Sequence, residues 1–227
     1  MGTQEVRPAW YALRGGGMRD YVTLLHPPYT LWHLSYVAIG GALVPHMRWN
    51  VLGWTVLAFL LAMGVGAHAL DELQGRPLRT GIPRRVLVAL AVVSIATACA
   101  VGVWVASWRT WWLLVFVAAG AFITVAYNLE LFDGAFHSDV WFALAWGAFP
   151  ALTAYFACAG RLRGEAFLAA AFAFCSSLAQ RTLSTPVRHA RRVAGDPTAT
   201  RTLELALQLL AAALPLLAGA LLLVRAA

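Results

Sequence analysis

The sequence predicts an all-α integral membrane protein built as one bundle of about seven transmembrane helices. Of its 227 residues, 61% are hydrophobic and only 12% are charged; a soluble domain carries about twice that charge. The formal charges cluster and leave seven uncharged runs, at 21–47, 49–70, 86–108, 110–129, 140–160, 166–180 and 205–224. No run alternates polar and apolar residues as a membrane β-strand does. A helix needs roughly 20 apolar residues to cross the hydrocarbon core, and in lipid its backbone must satisfy its own hydrogen bonds. Residues 1–20 form an N-terminal cytoplasmic segment in this reading, and 21–227 a single transmembrane domain.

The first run is interrupted by His26-Pro27-Pro28. Prolines suit the first helical turn, where the missing N–H has no helical partner, so the helix proper is expected from Tyr29 to about Val44, with Pro45 ending it. The mostly polar residues before it exclude a signal peptide. The second run ends in His68-Ala69-Leu70-Asp71-Glu72. The third and fourth are plain apolar spans, and Trp108, Trp111 and Trp112 mark their boundary as interfacial belt residues. The fifth follows an acidic loop. The sixth is the shortest, but Arg181 can snorkel and carry the helix on to Leu183. The seventh closes the bundle.

All 17 basic residues are arginine. With the N-terminus inside, the inner side holds Arg7, Arg14, Arg19, Arg76, Arg79, Arg84, Arg85, Arg181, Arg188, Arg191, Arg192 and Arg201. The outer side holds only Arg48, Arg109, Arg161, Arg163 and Arg225. This positive-inside bias implies a multi-pass protein of the cell inner (plasma) membrane, N-terminus cytoplasmic and C-terminus outside. The net charge of +7 then reflects topology and anionic lipid, not nucleic acid. Cys99, Cys158 and Cys175 are isolated in apolar segments and read as packing residues.

The candidate chemistry collects on the inner side, in loops 71–85, 130–139 and 181–202. If the second helix continues, His68, Asp71 and Glu72 share a face. An imidazole and two carboxylates can hold a divalent cation; alternatively the carboxylates pair with Arg76 and Arg79. Arginines beside a metal suit a phosphate or diphosphate. The loop Glu130–Asp139 carries three carboxylates and no arginine, against the charge gradient. The stretch Gln180–Arg192 offers cationic and hydroxyl donors, including Arg181 and Arg188. His26, His33, His68 and His137 are each packing histidines or, together with Glu72 and Asp139, transition-metal ligands.

These strings resemble the UbiA prenyltransferase superfamily over roughly residues 20–200. Arg76-Pro77-Leu78-Arg79-Thr80-Gly81 is similar to a string that follows the family's first acidic motif, and His68, Asp71 and Glu72 stand in that motif's place. Asp139–Tyr155 is similar to the fifth helix of menaquinone-branch members, and Tyr127 matches a tyrosine before their intervening loop. The second acidic motif has no counterpart: its place holds Gln180, Arg181, Ser184 and Arg188. The resemblance implies a UbiA-like bundle that transfers a prenyl group from a prenyl diphosphate to a hydrophobic or aromatic acceptor. It implies Mg²⁺ at His68, Asp71 and Glu72, with a transition metal as the alternative. Asp71, Glu72, Tyr127 and Arg181 would be catalytic, and Arg76, Arg79, Tyr29, Asp139 and Arg188 would bind substrate. Tyr29, Trp32, Tyr36, Trp141 and Trp146 would wall the prenyl chain. Two other readings stay open: a His/carboxylate metalloenzyme acting on a lipid, and a non-catalytic lipid-binding or transport protein.

Overall fold

The computed structural model describes residues 8–13, 15–192 and 200–227. Arg7, Arg14, the side chain of Arg192 and the 193–199 part of the third inner loop lie outside the described residues. Every regular element among the described residues is helical. A short helix α1 (Met18–Leu24) precedes α2 (Pro27–Ala42). Then come α3 (Trp49–Leu73), α4 (Arg84–Arg109), α5 (Leu113–Asn128), α6 (Asp139–Ala159), α7 (Gly164–Arg192) and α8 (Arg201–Ala226). Two of these helices widen into π-helix along part of their length, α3 at Leu60–Ala67 and α6 at Ala143–Ala148.

Five helices, α3, α4, α6, α7 and α8, are long and apolar enough to cross a membrane. The chain is therefore a multi-pass α-helical membrane protein. Helices α2 and α5 have 16 residues each, about 24 Å at 1.5 Å per residue, which falls short of a hydrocarbon core of about 30 Å. Helix α2 starts on its two prolines, as their fixed backbone favours, and ends at Ala42, two residues before the expected Val44.

The helices run alternately up and down, so their ends collect in two layers. At one end, Arg109 donates to the carbonyls of Ala157 (3.1 Å) and Cys158 (2.9 Å), and Arg225 donates to that of Ala42 (2.7 Å). These guanidinium groups satisfy carbonyls that helix ends leave bare. At the other end the start of α2, the end of α3, the start of α4, the end of α5, the start of α6 and the end of α7 meet. Gln74 reaches the Leu129 carbonyl (3.3 Å), and Arg181 pairs with Asp139 (2.7 Å). Arg191 of α7 pairs with Glu204 of α8.

Close backbone seams hold the bundle. A Cβ on Gly40 would stand 2.2 Å from the Ala151 carbonyl oxygen, and one on Gly147 would stand 2.6 Å from that of Ala173. Small residues allow such approach in membranes, where dispersion and not water drives helix association. Within the α2–α7 seam the buried Trp32 indole donates to the Tyr36 hydroxyl (2.5 Å), which also accepts from Ser177 (3.2 Å).

The sixth run departs most from expectation. Its helix runs past Leu183 and through Pro186 to Arg192, so half of the loop expected at 181–202 is helical. Proline withdraws one amide from the ladder, the one that would serve the Thr182 carbonyl, while the Ser184 and Thr185 hydroxyls both back-bond to the Arg181 carbonyl (3.3 and 2.9 Å). The extension puts Arg188 on the same helix as Arg181, seven residues on and hence on the same face.

Candidate functional site

Helix α3 ends at Leu73, and the chain turns back at once toward α4. That turn needs an acceptor for its amides, and Glu72 provides it. Its carboxylate is fully buried and accepts from the amides of Leu78 (3.0 Å) and Thr80 (2.8 Å) and from the Thr80 hydroxyl (2.8 Å). Around it Arg76 and Arg79 take left-handed backbone conformations, with φ of 51° and 56°. Arg76 donates to the Thr80 carbonyl (2.7 Å), so its guanidinium serves the turn, while Arg79 is exposed. The expected common face of His68, Asp71 and Glu72 therefore divides. Glu72 points into the turn, where two amides and a hydroxyl donate to its carboxylate.

His68 and Asp71 face inward. His68 stacks on His26 (centroids 4.2 Å, 20° between planes), and its Nδ1 lies 3.1 Å from the Gly64 carbonyl. His26 precedes α2 in a left-handed conformation (φ 45°), and its Nδ1 meets the Tyr11 hydroxyl at 2.6 Å. Its Nε2 is buried without a hydrogen-bond partner. Burial holds the His26 imidazole well below its ordinary pKa, and nearby His68 and Arg188 push in the same direction. Burial raises the Tyr11 phenol well above 10. Asp71 lies within electrostatic reach of Glu72, His137, Arg188 and Arg181.

The acidic loop builds the opposite wall. Glu130, Phe132 and Asp133 adopt left-handed conformations, followed by Gly134. This tight winding returns His137 onto Tyr127: the rings stack at 4.6 Å, and His137 Nδ1 lies 3.0 Å from the Tyr127 carbonyl. Ser138 caps α6 by accepting from the Trp141 amide (3.2 Å), as its hydroxyl suits. Asp139 pairs with Arg181, whose guanidinium also sits 5.1 Å from the centre of the Phe142 ring. Tyr127 is in turn within reach of Arg181, Asp71, Arg188 and Asp139. Two arginines, two carboxylates, a phenol and an imidazole thus lie within electrostatic reach of one another at the polar mouth of the bundle.

Below that mouth the bundle is hollow. A cavity of about 90 Å³, partly open to the side, lies between α3, α4, α5 and α6. Met63, Ile123, Ala145 and Trp146 line its polar end, while Trp54, Val105 and Leu113 line its far part. The near residues belong to the same apolar cluster as Tyr127, with Phe142 packed against it, and the Trp146 ring meets Tyr127 edge-on at 5.8 Å. Two aromatic side chains therefore separate a hydrocarbon-lined chamber from the charged mouth.

Of the expected site residues, Asp71, Tyr127, Arg181 and Arg188 lie within electrostatic reach at one end of the bundle, with His68 one helical turn before Asp71 and Asp139 holding Arg181. Tyr29 flanks Tyr11 edge-on (5.4 Å). Glu72, Arg76 and Arg79 belong to the turn. The six residues of the alternative metal set disperse: His33 Nδ1 contacts the Trp146 carbonyl (2.8 Å), His137 contacts Tyr127, and His26 stacks on His68. Among the described residues no three His, Cys, Asp or Glu side chains converge to hold a metal ion. Of the aromatic residues expected along a prenyl chain, only Trp146 lines the cavity; Trp32 and Tyr36 are wholly buried against α8. Tyr11 was not anticipated, since a short polar leader carries no periodicity to signal an inward-facing phenol. No protein-family model, curated protein or solved structure matches this chain.

Proposed function

We propose that this chain is an intramembrane enzyme acting on an isoprenoid diphosphate, as its UbiA-like strings imply. The single observation that supports this reading is an apolar cavity on the far side of Tyr127 and Trp146 from a mouth carrying Arg181, Arg188 and Asp71. An amphipathic substrate needs that order of surfaces: hydrocarbon in the chamber, anionic head among guanidinium groups. Charge developing on a departing diphosphate is stabilised by donors already fixed in place. Phe142, Tyr127 and Trp146 present ring faces and edges where an allylic carbon would lie, and aromatic faces favour positive charge. Because Glu72 is committed to the turn and no three ligands converge among the described residues, His68, Asp71 and Glu72 do not fit the resident Mg²⁺ site that the resemblance implies. The arginines carry the charge neutralisation in this reading.

The same proposal takes all seven helices, α2 to α8, as crossings of the inner (plasma) membrane. The polar mouth then faces the cytoplasm and the C-terminus lies outside. The short helices α2 and α5 would sit where neighbours or local thinning relieve the mismatch.

Purified protein in nanodiscs, given radiolabelled prenyl diphosphates of graded chain length with and without Mg²⁺, tests the reading. Saturable binding with diphosphate release in the presence of an aromatic acceptor is the expected result. Binding without release would make the protein a lipid-binding or transport component. Absence of binding at every chain length would end the isoprenoid-diphosphate proposal.

A further inference from the structure

We propose that residues 8–13 form a strap that closes the polar mouth, latched by the Tyr11–His26 hydrogen bond and hinged at Gly15–Gly17. The inference begins with what the strap covers. Tyr11 reaches inward past the bundle edge, its hydroxyl 2.6 Å from His26 Nδ1 and its ring edge-on to Tyr29. From there it is within electrostatic reach of Asp71 and Arg188, two of the charged groups of the mouth. Ala12 behind it is 1% exposed, and the Trp10 indole nitrogen is buried. A segment that reads as a polar leader thus buries Ala12 and half-buries Trp10 and Tyr11 against the site.

The closed arrangement is held by little. Two hydrogen bonds of clear geometry tie residues 8–13 to the rest of the protein, and the Trp10 indole also stands against the Tyr29 hydroxyl. One is the latch; the other runs from the Leu13 amide to the Thr23 hydroxyl at 3.1 Å. Closure also leaves His26 Nε2 buried without a hydrogen-bond partner. Such a group costs free energy that water or a ligand would relieve on opening. Segments with few ties and unsatisfied groups open at low cost while the core stays folded.

The hinge is distinct from the latch. Gly16 and Gly17 have φ of 120° and 59°, and a Cβ on either would meet nothing within 4 Å. Their lack of a side chain therefore serves the backbone conformation and not packing. Immediately beyond them α1 is fixed: the buried Asp20 accepts from the Gly81 amide at 2.9 Å. A pinned helix, a glycine hinge and a weakly tied strap together make a gate on the aqueous side of the mouth, exposing the His26–His68 stack and Asp71 when it swings away. The gate itself is independent of the substrate proposed above; its role in admitting a prenyl diphosphate rests on that reading.

Carbethoxylation of histidines by diethyl pyrocarbonate, located by mass spectrometry on the full chain in nanodiscs, reads the gate directly. Tyr11→Phe removes the latch but keeps the ring. Thr23→Val removes the second tie without touching His26, so it controls for altered imidazole reactivity. Each substitution is expected to raise His26 labelling about fivefold, the factor for one net hydrogen bond. Labelling of the exposed His46 at the opposite end should stay constant. Labelling of His26 equal to wild type in both variants would overturn the proposal. A parallel measurement of radiolabelled prenyl diphosphate association separates the two ideas. Faster association in the variants supports the gate. Raised labelling with no binding in any protein leaves the gate standing and removes the substrate. Normal binding with unchanged labelling removes the gate and leaves the substrate.

Discussion

Replacing Glu72 tests whether this carboxylate is a metal ligand or the keystone of the turn. In Glu72→Ala three donors lose their acceptor: the amides of Leu78 and Thr80 and the Thr80 hydroxyl. Leu78 and Thr80 are 7% and 5% exposed, so water does not readily replace it. The hydroxyl can rotate toward another partner, but the two amides are fixed. At about 1–3 kcal/mol for each buried unsatisfied group, the loss is about 4 kcal/mol. Glu72→Gln keeps one oxygen for Thr80 but turns an NH₂ toward the Leu78 amide, a cost of about 2 kcal/mol by the same accounting. A chain of this size loses about 2–4 °C in Tm per kcal/mol. Thermal unfolding in detergent should therefore show drops of about 10 °C and about 5 °C. Neither drop should depend on EDTA or Mg²⁺, and amide exchange at Leu78 and Thr80 should accelerate in step. Unchanged protection at those two amides, or a drop seen only after chelation, would refute the structural role and return Glu72 to the metal site.

Three further outcomes follow from particular contacts. Gly40→Ala, whose Cβ would stand 2.2 Å from the Ala151 oxygen, should cost about 2–3 kcal/mol or more through overpacking, while Gly53→Ala, with open space around it, should leave Tm unchanged or slightly raised. Asp139→Asn should cost at most about 1 kcal/mol, because the Arg181–Asp139 pair is half exposed on the carboxylate side and such pairs are weak. Arg181→Gln should weaken prenyl diphosphate binding at least about tenfold in filtration assays, as loss of a charge-assisted contact does. For His26, whose folded pKa is depressed chiefly by burial, the stabilising contribution is complete above the unfolded value of about 6.5. It falls as the pH drops below 6.5, where the unfolded chain takes a proton that the folded site refuses. Wild type should thus lose more Tm between pH 7.5 and 5 than His26→Gln does.

Charge spacing sufficed for the helices, because lipid forbids both loose backbone and scattered charge. Helix α7 shows the limit of that argument. Pro186 and the arginines around it carry every local sign of a loop, yet the helix runs through them, since the proline removes one amide and leaves one carbonyl, that of Thr182, without its ladder donor. The mouth was partly legible: Asp71, Arg181, Tyr127 and Asp139 all stand at helix ends of one side, and topology alone brings such ends together. Glu72 lies within the same helical stretch as His68 and Asp71, but its carboxylate is taken up by the turn that follows, where two amides and a hydroxyl donate to it. Its signal was the following turn, rich in amides and lacking an acceptor of its own. The cavity left no mark, since an alanine facing a chamber and an alanine facing lipid are the same letter.

The π-helical stretch in α3 connects the cavity to the mouth and yields the most discriminating test of their relation. A π-helical turn carries one residue more than an α-turn, so everything beyond it is rotated by about 100°, one residue's step around the helix. Before Leu60 the α3 face toward α4 and α6 carries the cavity-lining Thr55, Ala58 and Phe59, and within the π stretch Ala62 and Met63 continue that wall. Past Ala67 the reset phase turns His68 onto His26, Asp71 into the mouth and Glu72 into the turn. An unbroken α-helix would keep the cavity wall but aim those three side chains elsewhere. Deleting Leu61 should let the stretch relax to α-helix. The helix would persist by circular dichroism, while exchange at the Leu78 and Thr80 amides would rise as far as in Glu72→Ala, and prenyl diphosphate binding would be lost with Asp71 turned away. Leu61→Ala keeps the residue count, so it should leave both properties near wild type. If the deletion preserved protection at Leu78 and Thr80, the wide turn would not be setting the phase, and the alignment of chamber and mouth would need another cause.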